Sequence, residues 1–486
     1  MRRALTRMTA ASTATVLALT LLHVAPASAD DEDTPPAAGG ESSPDGPEEF
    51  NALALAAETG ERVEITSLTD EKTRHFANPD GTLTAEISAL PVRVRTSEGW
   101  TDVDTTLVDT GDGLLRPRAT NADLAFSAGG DAPMVTLGLG NNSVSLGWDG
   151  DLPSPELEGN QATYPDVLPD VDLVLTAGVE GFTQVLVVHT PEAAASPELA
   201  ELELALDTAG VTMIADTHGN LTATGDEGGQ SVFSAPAPTM WDSTGADQAT
   251  ATGEDPTTAP LTTSQVEPVP TTVEVDTLSL APDQQMLTDE ATQYPVYIDP
   301  SISVSRPNWA YVDAAYPNQE YFNRSIESVG IGRLSDASGT YTRRALFQFW
   351  VAGRTKQDTT TIHSATLRTE VTHGYTCNSN SYIELHRTDR FTGSTNWNNQ
   401  PTARDHLDTQ NVVGGWYECP LSTGTEFDAT DAYQWGVDNN EEYIYLRLKE
   451  RDENSNSAWR RIDIENDPPV LVVDYNNKPD QVDTDS

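Results

Sequence analysis

The sequence predicts an all-β protein whose C-terminal part is a two-sheet sandwich. Short runs with period-two alternation, such as Leu83-Thr84-Ala85-Glu86-Ile87 and Leu202-Glu203-Leu204-Ala205-Leu206, send every second side chain toward a core. Turn signals such as Asn78-Pro79-Asp80-Gly81 separate these runs, and no long stretch with a 3.6-residue period interrupts them.

The first 29 residues read as an export signal. Arg2, Arg3 and Arg7 form a basic start, an apolar stretch runs from about Thr9 to Val24, and Ala27-Ser28-Ala29 supplies small residues at a cleavage point between Ala29 and Asp30. The apolar run is broken by Thr, Ser and His23 and is short for a membrane span. The expectation is a secreted, extracellular chain with no membrane insertion. Residues 30–50 are dominated by Asp, Glu, Pro, Gly and Ser and read as a disordered acidic linker.

From about Ala52 the strand pattern begins. Val92-Arg93-Val94-Arg95, Leu173-Val174-Leu175 and Val185-Leu186-Val187-Val188 continue it through a β-rich leader domain spanning 51–300. Residues 234–271 are rich in Pro, Thr, Ala and Ser and read as a long loop. Thr272-Val273-Glu274-Val275 and Tyr294-Pro295-Val296-Tyr297-Ile298 resume the strands before a boundary near Pro300. Residues 301–477 then offer Arg344–Phe349, Ala365–Arg368, Tyr382–Leu385, Tyr443–Leu448 and Val470–Val473, a spacing that suits a sandwich. A polar tail, 478–486, follows.

Charge supports the division. The 486 residues carry 76 Asp and Glu against 27 Lys and Arg, a formal net charge of −49. Residues 30–300 hold 49 of the acids and only 7 of the bases, while 301–486 hold 27 acids and 17 bases. Six of the nine Trp and eleven of the fourteen Tyr lie beyond residue 300. So negative a chain repels nucleic acid and anionic lipid surfaces, which disfavours partners of either kind.

Chemistry-bearing motifs are few. There is no His-Glu-x-x-His, Cys-x-x-Cys, Gly-x-Ser-x-Gly or phosphate-binding loop, so the expectation is a non-catalytic protein. His373 reads as a surface residue rather than a metal ligand. The two cysteines, Cys377 and Cys419, are expected to pair in an oxidising compartment, a loop closure that stabilises by about 3–4 kcal/mol. Asp452-Glu453-Asn454 and Asp463-Ile464-Glu465-Asn466-Asp467 are the acidic runs that could hold a structural calcium, although neither has a known ligand spacing. No cofactor is expected otherwise.

Five segments stand in order: Arg343-Arg344-Ala345-Leu346-Phe347-Gln348-Phe349, Ile362-His363-Ser364-Ala365-Thr366-Leu367, Thr395-Asn396-Trp397-Asn398-Asn399-Gln400-Pro401, Phe427 to Trp435, and Pro468 to Tyr475. Taken together they resemble the DNRLRE, or disaggregatase-related, domain of secreted bacterial proteins. The resemblance implies a jelly-roll-like β-sandwich similar to carbohydrate-binding modules. Gly99-Trp100-Thr101-Asp102-Val103-Asp104, Tyr164-Pro165-Asp166-Val167 and Tyr294 to Pro300 look like the β-rich leader of exported actinobacterial proteins with YD repeats or concanavalin-like modules.

A polysaccharide or cell-wall glycan is therefore the expected partner. Trp397 with Asn398, and Trp416 with Tyr417, are the candidate ligand-binding residues, because sugar C–H faces stack on aromatic rings while amides bond hydroxyls. Trp397 and Trp435 read more readily as core aromatics; Trp416 and Tyr417 divide evenly between the two roles. Two alternatives stay open: a structural or adhesive module of an exported YD-repeat-like system, and an extracellular polysaccharide hydrolase or lyase.

Overall fold

The alternation read from the sequence is realised as strands in a computed structural model, with the buried side chains on one face. Val171–Ala177 alternates buried and half-buried positions along its whole length, and Leu202–Ala209 begins with buried leucines at every second place. The structure describes residues 47–477 except 218, 227–230, 247–256, 258–259, 262, 306–307, 324–327, 337–338, 375–380, 413–423, 456–458 and 465–466. The chain is nearly all β, and the strand pairs among the described residues are antiparallel.

Two sandwiches share this architecture. In the first, an eight-stranded sheet running from Thr271–Val273 at one edge to Asp104–Asp109 at the other packs on an eleven-stranded sheet. The second sheet is built around Val171–Ala177, Gly181–Val188 and Ser301–Val304. Leu124, Leu137, Val144 and Leu204 from one face meet Leu173, Phe182, Leu186 and Phe233 from the other in a single core.

The second sandwich draws on both ends of the chain. Its six-stranded sheet orders Val63–Glu64, Thr73–Ala77, Leu83–Ser88, Val470–Asn477, Thr360–Thr369 and Thr425–Asp428. Leu83–Ser88 pairs with Val470–Asn477 over six registered positions, from Leu83 opposite Tyr475 to Ser88 opposite Val470. The facing nine-stranded sheet contains Ser328–Asp336, Gly339–Trp350, Tyr443–Glu450, Tyr382–Thr388 and Ala403–Asn411. Ala52, Ile65, Leu83 and Ile87 lie in one core with Phe347, Leu446 and Leu471.

The expected division at residue 300 is therefore crossed by strand pairing and by the core. The first sandwich, about 104–304, sits in the chain between the two parts of the second, and both belong to one compact unit.

Local chemistry explains two departures from the expected strands. Pro47–Thr59 is a helix, where the sequence reading placed the end of a linker and the onset of strands. Pro47 opens it, Glu48 and Glu49 complement the positive end of its dipole, and Gly60 follows at φ 74° with its N–H on the Ala56 carbonyl. Within the expected loop 234–271, Thr239–Trp241 pairs with Val266–Pro268 and with Val296–Asp299. The fully buried Trp241 stacks on Tyr297 at 5.7 Å, and the buried Asp242 carboxylate accepts N–H bonds from Thr244, Gln265 and Gln293. A Pro- and Thr-rich composition hid two strands whose ends one carboxylate holds.

Glycine is obligatory at Gly330, inside a strand, because a Cβ there would sit 2.0 Å from the Trp459 ring.

Candidate binding cleft

Two strands of the nine-stranded sheet carry an aromatic outer face. Ile444, Leu446 and Leu448 point into the core, as do Phe347 and Phe349, so the period of two sets Tyr443 and Tyr445, Gln348 and Trp350 on the other face, where Tyr445 meets the buried Phe391 edge to face and the half-buried Trp350 also packs against the core. The register sets Trp350 directly opposite Tyr443 and Gln348 opposite Tyr445. Cross-strand neighbours stand about 5 Å apart and same-face neighbours along a strand about 7 Å, so the four side chains tile a patch about the size of a sugar ring.

This patch lies in a cleft of ≈ 1130 Å³. One wall brings Asp389, Arg390 and Arg404 together with Arg387 and Trp435. The other is formed by Asp70 to Thr73, by Trp100 and by Ser305 and Asn308, where the chain returns from the first sandwich. Segments far apart in sequence thus meet at one place, because the first sandwich is inserted between them.

Ion pairs hold the walls. Arg404 grips Asp389 with two bonds of 2.7 Å, and Arg387 bonds Asp405 at 2.5 Å while its guanidinium lies 3.8 Å from the centre of the Trp435 ring. Lys72 bonds Asn308, which is almost fully buried and in turn bonds Glu180 of the first sandwich. Burial pushes the Tyr445 hydroxyl pKa up, an effect that the nearby Arg390 opposes.

The residues singled out in the sequence fall elsewhere. Trp397 is half-buried against a small core of Ala310, Val312, Phe322, Leu346 and Phe391, with the Arg344 guanidinium 4.4 Å over its ring. Arg344 is itself held by Glu453 through two bonds of 2.7 Å. Asn398 is exposed and its side-chain amide donates to the Asn318 Oδ1 at 2.8 Å, in a turn whose N–H groups bond the Asn396 Oδ1. Trp435 lines the cleft and also packs against the core. Trp416, Tyr417, Cys377, Cys419, Ala29 and Asp30 lie outside the described residues.

His373 is half-buried on Val371–Gly374, opposite Arg461. Among the described residues no group of three or more His, Cys, Asp or Glu side chains is placed to hold a metal ion, and no helix is long and apolar enough to cross a membrane. Sequence reasoning passed over Trp350, Tyr443 and Tyr445. The signal was present in Tyr443-Ile444-Tyr445-Leu446, where aromatic and aliphatic side chains alternate, but the partner strand that completes the patch is nearly 100 residues away.

Comparison with known proteins gives distant relatives. No family model matches the chain. It is 25% identical over 376 residues to the tRNA3(Ser)-specific nuclease WapA of Bacillus spizizenii, an alignment covering 73% of this chain and 16% of that protein. It is 26% identical over 365 residues to the tRNA nuclease WapA of Bacillus subtilis, covering 70% of this chain and 15% of the relative. The chain thus spans about a sixth of the length of the curated relatives it matches. Among solved structures, one obtained with a xylogluco-oligosaccharide aligns over 84% of this chain at 10% identity and a TM-score of 0.15. The N-terminal domain of the Streptococcus gordonii adhesin Sgo0707 aligns over 79% at 6% identity and a TM-score of 0.13. Similarities at that level carry no argument about fold or ligand.

Proposed function

We propose that this chain is an exported, non-catalytic module that binds a polysaccharide or cell-wall glycan in the cleft of its second sandwich. The observation that carries the reading is the patch of Trp350, Tyr443, Tyr445 and Gln348. Flat aromatic faces beside an amide, set between walls braced by ion pairs, suit stacking of a sugar ring and bonding of its hydroxyls. Ion pairs that fix the walls beforehand reduce the entropy lost when a chain of sugars settles. The resemblance of residues 343–475 to the DNRLRE domain points to the same ligand class.

The relatives are named as tRNA nucleases, but this chain matches only about a sixth of their length, too small a share to carry their activity over. That small share also favours a second reading, a structural module of a much longer exported protein with no sugar site.

Titration of the purified chain with a panel of soluble polysaccharides, including a neutral β-glucan, polygalacturonate and solubilised peptidoglycan, separates the two. Saturable binding to at least one, weakened tenfold or more in Trp350→Ala with Tyr443→Ala while the fold persists, supports the glycan site. No binding to any member leaves the structural reading. N-terminal sequencing of protein from culture medium tests export, with Asp30 as the expected first residue.

A further inference from the structure

The cleft holds charges as well as rings, and most of its basic groups are accounted for. Four basic side chains line it: Lys72, Arg387, Arg390 and Arg404. Arg404 is taken by Asp389, Arg387 by Asp405 and the Trp435 ring, and Lys72 by Asn308 and the Ala89 carbonyl. Of the carboxylates, Asp70 accepts the backbone N–H groups of Lys72 and Thr73, and Glu71 has partners of its own. Glu441 and Glu442 are exposed at the turn leading into Tyr443.

Arg390 differs from the other bases. It is exposed, lines the cleft beside Tyr445, and makes no hydrogen bond or ion pair among the described residues. In a chain with 76 acids and 27 bases, an arginine has carboxylates to choose from nearly everywhere. One that forms no ion pair at the edge of an aromatic patch, although Glu441 and Glu442 act on the same Tyr445, keeps its guanidinium fork open to an anion brought by the ligand. The remote negative charge of the molecule does not prevent this, because screening confines it to about 8 Å at physiological salt. A guanidinium also presents a planar fork that matches a carboxylate with two parallel bonds.

We infer that the ligand of the cleft is an acidic polysaccharide, a glycan bearing uronate-type carboxylates, with Arg390 reading the carboxylate while Trp350, Tyr443 and Tyr445 carry the sugar rings. This rests on the glycan-binding reading and narrows it to one class.

The test compares polygalacturonate with its fully methyl-esterified form, which keeps the backbone and removes the charge, using the full chain and two variants. The expected result is at least tenfold tighter binding of the free acid, a difference that shrinks as salt is raised and disappears in Arg390→Gln, while Trp350→Ala weakens both polymers. Equal binding of the two forms, still lost in Trp350→Ala, overturns the acidic class and leaves the glycan site standing. A polyphosphate-bearing wall polymer that binds while polygalacturonate does not also overturns it. If neither pectic polymer binds, the inference fails, and the broader reading fails with it only when the neutral glucan and peptidoglycan are also silent.

Discussion

The Nδ1 of His75 lies 2.9 Å from the hydroxyl of Tyr475, across 400 residues of chain. The two rings meet edge to face with centroids 6.2 Å apart, and both side chains are buried. His75 belongs to the strand next to Leu83–Ser88, and Tyr475 to the strand on its far side, so the contact spans the seam where the two ends of the second sandwich join.

Burial of His75, with a smaller contribution from the Arg354 charge, lowers its pKa from 6.5 to about 4. The neutral ring is the folded form, so its share of stability is complete above pH 6.5 and is lost as pH falls through about 4. A shift of this size corresponds to about 3 kcal/mol. His75→Gln is expected to be less stable than wild type at pH 7 but to lose less stability between pH 6.5 and 4. Thermal unfolding across that range checks this, and parallel curves would contradict it.

Glu320 shows the opposite sign. It is partly buried with Asp216 of the first sandwich nearby, and burial first, then that negative charge, raises its pKa to about 7. Its contribution is complete below the ordinary carboxylate range and disappears as pH rises through about 7. Glu320→Gln should unfold at a higher temperature than wild type at pH 8 and show no gain at pH 5. A gain that is the same at both values would assign the effect to packing.

Gln184 is fully buried among the apolar side chains of the first sandwich, between Phe182 and Leu186 on its strand, and neither end of its amide has a hydrogen-bond partner among the described residues. Replacing such a group by an apolar one of similar shape removes a desolvation cost of about 1–3 kcal/mol. Gln184→Met is expected to raise the midpoint of chemical denaturation with no change in the slope; a lower midpoint would show that the amide is satisfied in solution.

Excision gives a fourth test. Residues 301–477 alone lack Ile65, Leu83 and Ile87 from their core and leave Val470–Asn477 paired only with Thr360–Thr369, its other edge open. At about 1.5–3 kcal/mol for each buried side chain, the loss is about 5–9 kcal/mol, comparable with the whole stability of an ordinary domain. The excised segment should lack a cooperative transition, and adding residues 47–103 through a linker should restore one. A cooperative fold of 301–477 by itself would show that the N-terminal strands are dispensable.

The sequence by itself determined the fold class and the positions of many strands. Alternation at Leu83–Ile87, Leu202–Leu206 and Tyr443–Leu448 is a local property, and a backbone with a period of two reads it directly. Likewise, Asn78 to Gly81 forms the turn it announces, with the Gly81 N–H on the Asn78 carbonyl. Tertiary structure alone decided which strands are neighbours. Nothing local in Leu83–Ser88 names Val470–Asn477 as its partner, because strand pairing is set by which apolar faces can share a core. The cleft followed from that choice. Trp350 and Tyr443 become one surface only through the register of their strands, and Trp100 and Lys72 reach them only because residues 104–304 fold as an insertion, so single aromatic residues in the sequence gave no sign of which would meet.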